Sequence, residues 1–298
     1  MSQKEMLAQM SGKPGFIAAL DQSGGSTPGA LRAYGVPDGS YAGDDAMYAL
    51  VHAMRVRIIS APAFTGQKVI GAILFERTMD GEAQGKKVPT FLWEQRRVVP
   101  FLKVDNGLAP EADGVSLMKP MPTLDALLER ATKAGIFGTK MRSVINRASP
   151  TGVDAVVAQQ FAVAGQIAAH GLVPIIETEV SIVSPEKGAA ERLLMGALAR
   201  ALDDLPEGRK VMLKVTLPEA PDLYAPLIAH RAVARVVALS GGYSNVDACA
   251  KLAKNHGVIA SFSRALVEGL KISMSDAEFD AALGAAIDEI FRASTIKT

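Results

Sequence analysis

Lys210-Val-Met-Leu-Lys-Val-Thr-Leu217 reads as one β-strand, apolar and β-branched, bounded by Glu207-Gly208 before it and Pro218 after it. Strand side chains alternate, so Met212, Lys214 and Thr216 share one face and Leu213, Val215 and Leu217 the other. This puts an amine in the middle of a strand whose neighbours are nearly all apolar. An isolated ammonium there is costly, so Lys214 is expected either to pair with an acid or to have a depressed pKa. A partly deprotonated lysine is what Schiff-base chemistry requires. A lysine at a sheet edge, or one held in a structural ion pair, would read the same in this stretch.

Outward from it, similar apolar runs recur at fairly regular intervals: Phe16–Leu20, Val69–Phe75, Val98–Val104, Gly135–Ile145, Leu172–Val180, Val211–Leu217, Arg235–Leu239 and Val258–Phe262. Helical periodicity lies between most of them, most clearly over Pro122–Ala134, Val153–Ala169, Pro185–Leu202 and Tyr243–Asn255, the last with Ser244 as cap and Gly257 beyond its end. Alternating strands and helices imply parallel pairing, and near-continuous apolar runs suit strands covered on both faces. About eight such units predict an α/β fold, a (β/α)8 TIM barrel. A doubly wound open sheet is the runner-up, but no Gly-x-Gly-x-x-Gly follows the first strand. No linker, repeat or low-complexity tract divides the chain, so one domain over 1–298 is expected, with a C-terminal helical extension over about 273–298. That helix begins at Ser275-Asp276-Ala277-Glu278, a capping-box pattern. Gly81–Lys87 reads as an exposed loop or hairpin.

The bulk composition narrows the function. Of 298 residues, 49% are hydrophobic and 21% charged, which is globular. Lys plus Arg number 32 against 31 Asp plus Glu, so neither nucleic acid nor a membrane surface is indicated as the main partner. The single cysteine, Cys249, excludes an internal disulfide framework, and no Cys/His cluster has zinc spacing. The start, Met1-Ser-Gln-Lys-Glu-Met-Leu, lacks the apolar core of a signal peptide, and no run reaches transmembrane length. A cytoplasmic protein is expected.

Active sites of such barrels lie at the carboxyl ends of the strands. Those ends carry Asp21-Gln-Ser-Gly-Gly-Ser26, Glu76-Arg77, Lys103-Val-Asp105, Lys140-Met-Arg142, Glu177-Thr-Glu179, Lys214, Ser240-Gly-Gly242 and Ser263-Arg264. Period two puts Lys103 with Asp105, Lys140 with Arg142 and Glu177 with Glu179 on common faces. Any one pair fits a structural salt bridge, but so many buried charges are expensive unless they serve a function. Ser240-Gly241-Gly242 between a strand and a helix can wrap an anion with backbone N–H groups, and Arg264 lies on the next such loop. Asp21–Ser26 is a second Gly/Ser loop. Two anion sites flanking a lysine and carboxylates suggest a substrate phosphorylated at both ends.

Taken in order, these motifs resemble class I fructose-1,6-bisphosphate aldolases, in their compact bacterial branch. The resemblance runs through Ala19-Leu-Asp-Gln-Ser-Gly-Gly-Ser26, Ala72-Ile-Leu-Phe-Glu76, Phe101-Leu-Lys-Val-Asp-Asn-Gly107, Phe137-Gly-Thr-Lys-Met-Arg142, Pro174-Ile-Ile-Glu-Thr-Glu179, Val211-Met-Leu-Lys214, Leu239-Ser-Gly-Gly242 and Ser261-Phe-Ser-Arg-Ala-Leu266. It implies a Schiff-base lyase with no metal or other cofactor, acting on a sugar phosphate, homo-oligomeric and commonly tetrameric. It implies Lys214 as the imine-forming lysine, Glu177 as acid/base in carbinolamine dehydration, and Glu179 as the neighbouring acid. Asp21 is implied to help move the C4 hydroxyl proton, and Lys140 to polarise that region. Ser240, Gly241, Gly242 and Arg264 are implied to hold the C1 phosphate, with Lys103, Arg142 and Ser26 near the sugar and its other phosphate. Lys140 and Lys214 aimed into one pocket would repel, lowering the pKa of the more buried amine. The chain departs from animal members in ending Ser294-Thr-Ile-Lys-Thr298, without their terminal tyrosine, and in carrying Gln22 where they carry glutamate. Other readings are a tagatose-bisphosphate or transaldolase-like Schiff-base enzyme, or a catalytically silent sugar-phosphate-binding barrel.

Overall fold

The computed structural model describes residues 2–24 and 27–298. Eight strands, β1 (Phe16–Leu20), β2 (Val69–Leu74), β3 (Val99–Lys103), β4 (Gly138–Ile145), β5 (Val173–Val180), β6 (Val211–Thr216), β7 (Val233–Leu239) and β8 (Ile259–Phe262), pair in sequence order. Every neighbouring pair is parallel, and β8 returns to β1 through Ile17–Ser261 and Ala18–Phe262, which closes the (β/α)8 barrel.

The alternation read from β6 decides what fills the two cores. Met212 packs inside the barrel with Ile17, Ile73, Phe101, Phe137 and Ile175. Leu213, Val215 and Leu217 face outward into the larger core beneath the helices. Both faces are buried, as the continuous apolar runs require. Gly138 opens β4 where a Cβ would lie 2.1 Å from the Val173 carbonyl oxygen, so the strand can start beside β5 only without a side chain.

The helices follow the predicted segments with small changes at their ends, each with a local cause. The predicted Val153–Ala169 begins earlier, at Pro150, because Ser149 caps it and proline suits the first turn. The predicted Tyr243–Asn255 forms only over Asn245–Ala253: Gly242 has φ 120°, outside the helical range, and Ser244 accepts from the Asp247 amide. The Ser275 capping box is present in full and starts the helix Asp276–Thr295. Gly81–Lys87 contains a hairpin, Glu82–Ala83 with Lys86–Lys87, turning through Gln84 and Gly85, both at positive φ.

An element ahead of the first strand is not expected from the sequence. Helix Gln3–Gly12, capped by Ser2, lies across the amino-terminal end of the barrel and inserts Met6 and Met10 into the interior cluster. Gln9 donates to the Ile70 carbonyl at 2.8 Å, and Arg235 donates from Nε to the Met10 carbonyl at 2.7 Å. Two methionines among polar residues are too weak a pattern to announce a helix, yet both side chains are fully buried. Met10→Ala is expected to cost about 2–5 kcal/mol of stability in urea unfolding, with the KM for substrate unchanged, because the site lies at the other end of the barrel. At that amino end also, Lys297 donates to the carbonyls of Leu252, Val258 and Ala293. No helix among the described residues is long and apolar enough to cross a membrane.

Candidate active site

Above the apolar layer the barrel interior turns polar, because the same inward-facing period continues into charged residues. Lys140 follows Gly138 on β4, Glu177 follows Ile175 on β5, and Lys214 follows Met212 on β6. The β4–β5–β6 register sets Arg142 beside Glu177 and Glu177 beside Lys214.

Glu177 sits between two lysines. Its Oε1 lies 3.0 Å from Lys214 Nζ and its Oε2 2.9 Å from Lys140 Nζ. Lys140 also reaches Asp21 Oδ2 at 2.6 Å. The relative exposures of Lys140, Glu177 and Lys214 are 4%, 3% and 4%, so these residues and Asp21 form one desolvated chain, Asp21–Lys140–Glu177–Lys214. Lys214 therefore meets the first of the two expectations, pairing with an acid. The two lysines do not face each other bare, since one carboxylate spans them.

The charges decide the protonation states. Burial raises the Asp21 carboxyl, but Lys140, Lys214 and Lys103 outweigh it and hold it at about 2. Burial likewise raises Glu177, and Lys140 with Lys214 reverses the shift and lowers it. Burial lowers the Lys140 ammonium, whereas Asp21, Glu177 and Asp105 together raise it above an ordinary lysine. At neutral pH both carboxylates are ionised, and Lys140 is the cation between them.

Around this chain lie the other predicted residues. Glu179 pairs with Arg142, whose Nε donates to Glu179 Oε2 at 2.6 Å; the Arg142 side chain is 40% exposed at the mouth. Glu179 is thus turned toward the rim cation rather than toward Lys214. Lys103 pairs with Asp105 at 2.9 Å and donates to the Asp105 carbonyl at 2.5 Å. Across the mouth, Ser240, Gly241 and Gly242 turn sharply after β7, with φ 62° at Gly241 and 120° at Gly242. Side chains are disfavoured there by the positive φ at both positions and by Ile182: a Cβ on Gly241 would lie 2.8 Å from Ile182 Cγ2, and one on Gly242 would lie 3.1 Å from Ile182 Cδ1, with Arg264 Nη2 in contact at 3.4 Å. Arg264 therefore reaches over this turn, bringing a guanidinium to a glycine-lined backbone concavity suited to an anion. Ser26 lies outside the described residues.

Three supports escape the sequence reading. Gln160, fully buried on the helix Pro150–Ala169, donates to the Glu177 carbonyl at 3.2 Å and to Ser143 Oγ at 3.0 Å. Thr216 ties β6 to β5 by donating to the Val180 carbonyl at 2.8 Å and accepting from its amide at 2.9 Å. The third, Arg55, donates to the backbone carbonyl of Gln22, next to Asp21. Thr216 shares the Lys214 face and could be found by parity; nothing local distinguishes Gln160 from an exposed helix polar.

A buried amine on a carboxylate, a second amine and carboxylate beside it, and guanidinium groups at both sides of the mouth can form an imine, move protons and hold a doubly anionic substrate. A protein-family model described as Fructose-bisphosphate aldolase class-I matches residues 50–187. The chain is 57% identical over 291 residues to fructose-bisphosphate aldolase class 1 of Synechocystis sp., covering 98% of this chain and 97% of that protein. It is 54% identical to the protein of the same name from Porphyromonas gingivalis, covering 98% and 99%. Among solved structures, fructose-bisphosphate aldolase from Plasmodium falciparum, crystallised with TRAP and a small-molecule inhibitor, superposes with TM-score 0.78 at 20% identity, covering 99% of this chain and 95% of that one. A Corynebacterium glutamicum protein superposes with TM-score 0.54 at 15% identity, covering 98% and 92%. These two likenesses concern the fold.

Proposed function

This chain belongs to the class I fructose-bisphosphate aldolases, metal-independent carbon–carbon lyases, and we propose that it reversibly cleaves fructose 1,6-bisphosphate to dihydroxyacetone phosphate and glyceraldehyde 3-phosphate through an imine on Lys214. The observation that supports Lys214 in this role is its contact with Glu177, within a carboxylate–lysine chain shielded from water.

The chemistry follows from that contact. Glu177 accepts a proton from Lys214, and the freed amine attacks the C2 carbonyl of the open-chain ketose. One proton passes from the new C–N nitrogen to the oxygen to give the carbinolamine, Glu177 returns its own proton to that hydroxyl, and water leaves to yield the protonated imine. Asp21, ionised beside Lys140, takes the proton of the C4 hydroxyl while Lys140 stabilises the charge developing on that oxygen. The C3–C4 bond breaks, the C4 oxygen becomes the carbonyl of glyceraldehyde 3-phosphate, and the electron pair moves into the imine to give an enamine. Protonation at C3 and hydrolysis release dihydroxyacetone phosphate and restore Lys214. Ser240, Gly241, Gly242 and Arg264 hold the C1 phosphate. Arg142 and Lys103, from the opposite rim, face the sugar and the second phosphate, and Glu179 keeps Arg142 in place.

Borohydride reduction of the protein incubated with fructose 1,6-bisphosphate in EDTA is expected to leave a sugar-phosphate-derived adduct on the peptide bearing Lys214. Cleavage that EDTA abolishes, with no adduct, would replace the imine by a metal mechanism. The same reading, by family resemblance, makes the enzyme cytoplasmic and homo-oligomeric with one barrel domain per chain; sedimentation equilibrium at a multiple of the 31.3 kDa chain mass checks the assembly.

A further inference from the structure

Asp21 lies one residue beyond the sheet. The β1 ladder ends at the Leu20–Leu74 pair, and residues 21–23 have no helix or strand assignment. No sheet hydrogen bond therefore aims the Asp21 carboxylate at Lys140, although its contact there is 2.6 Å. A side chain from outside the barrel does hold the next residue. Arg55, on the helix Gly43–Ser60, is 1% exposed and is the largest fully buried side chain among the described residues. One of its terminal nitrogens donates to Thr78 Oγ1 at 2.8 Å and the other to the backbone carbonyl of Gln22. Thr78 is itself fixed, since its amide donates to the Phe75 carbonyl at 2.9 Å just past β2. The Gln22 side-chain amide then donates to Ser263 Oγ, one residue before Arg264.

We propose that Arg55 is a positioning residue for the aldol cleavage: its fork fastens the Gln22 carbonyl to Thr78 and so holds Asp21 against Lys140. This rests on the assignment of Asp21 and Lys214 given above. Packing alone does not account for an arginine here. The other buried residues of its helix are Met47, Val51, Met54, Ile58 and Ile59, and an apolar side chain would fill the position without a desolvation cost. Burial brings the Arg55 guanidinium down to about 10, and the Asp21 charge is the main influence opposing it. A lysine carries the charge but is a point donor that cannot bridge two acceptors in fixed geometry.

The test compares Arg55→Met and Arg55→Lys with the unaltered enzyme in two measurements. One is kcat and KM for fructose 1,6-bisphosphate cleavage. The other is borohydride trapping of dihydroxyacetone phosphate on Lys214, which forms the imine without breaking C3–C4. Misplacing a reacting group by about 1 Å costs on the order of 10²-fold, so Arg55→Met is expected to lower kcat by roughly 10–100-fold while KM and trapping stay within about threefold. Arg55→Lys should fall between. A folded Arg55→Met with kcat within about twofold of the unaltered enzyme would overturn the proposal, as would cleavage and trapping falling by the same factor, which marks a general collapse of the site. If Arg55→Met does not fold, Thr78→Val keeps the arginine and removes its fixed end. A several-fold kcat loss with intact trapping then supports the proposal, and unchanged kcat overturns it. Absence of any Lys214 adduct in the unaltered enzyme would instead refute the imine itself.

Discussion

Lys214→Arg is expected to eliminate cleavage of fructose 1,6-bisphosphate while leaving the fold and the phosphate sites in place. The substitution keeps a cation against Glu177, whose Oε1 lies 3.0 Å from the lysine nitrogen, so the buried carboxylate is not stranded. A guanidinium does not deprotonate in a protein, so it offers no amine to attack the ketose carbonyl. Without the imine there is no electron sink for the C3–C4 bond. Loss of a covalent nucleophile lowers turnover by on the order of 10⁵–10⁶-fold, so the variant should show no adduct after borohydride reduction and no measurable cleavage. Substrate-induced protection of Arg264 from a guanidine-directed reagent should persist. Cleavage at an ordinary rate in a folded Lys214→Arg variant would remove Lys214 from the mechanism.

Lys140→Met is the second large effect, and it acts through pH as well as rate. Lys140 is the shared cation of Asp21 and Glu177, at 2.6 and 2.9 Å. Its removal leaves two buried carboxylates with only Lys214 near both, and one of them should hold its proton to higher pH. Cleavage is expected to fall by about 10²–10⁴-fold, the usual contribution of general acid–base groups, with the acid limb of the residual rate moved upward.

Stability should change sign in its pH response. In the unaltered protein the Asp21 carboxyl is held at about 2 against an ordinary 3.8. The unfolded chain takes up that proton first as pH falls, so Asp21 contributes stability above about 3.8 and loses it as pH drops toward 2. The contribution is roughly 2 kcal/mol. In Lys140→Met a carboxyl pKa lies above its unfolded value, so stability is fullest at low pH and declines as pH rises through the raised value. Urea unfolding at pH 5 and pH 8 separates the cases: the variant should lose stability between them relative to the unaltered protein. An equal response in both would mean that Lys140 is not the cation that keeps Asp21 and Glu177 charged.

Both predictions concern residues whose inward direction is written into their own strands. All eight barrel strands fall on the apolar runs, and Lys140, Glu177 and Lys214 point into the barrel because period two is a local property of the backbone. The turn at Ser240–Gly242 is legible for the same reason, since its glycines answer a local need for positive φ. Helix ends are legible where a full capping box marks them, as at Ser275, and less so where a lone serine does, as at Ser149.

The partnerships belong to the tertiary structure. Parity puts Glu177 and Glu179 on one face, and the register sets Glu177 beside Arg142 as well as Lys214, yet in the closed barrel the side chains give Glu177 to Lys140 and Lys214 and leave Glu179 to Arg142. Arg55 and Arg57 are two residues apart on one helix and look alike in the sequence. The first is sealed beneath the β1 and β2 loops, whereas the second reaches the Met274 carbonyl and exposed Asp276. Helix Gln3–Gly12 is likewise stabilised by the barrel end it covers rather than by its own composition. A strand or a turn is encoded in neighbouring residues. Which charges meet depends on contacts between segments tens to hundreds of residues apart, and only closure of the barrel brings those segments together.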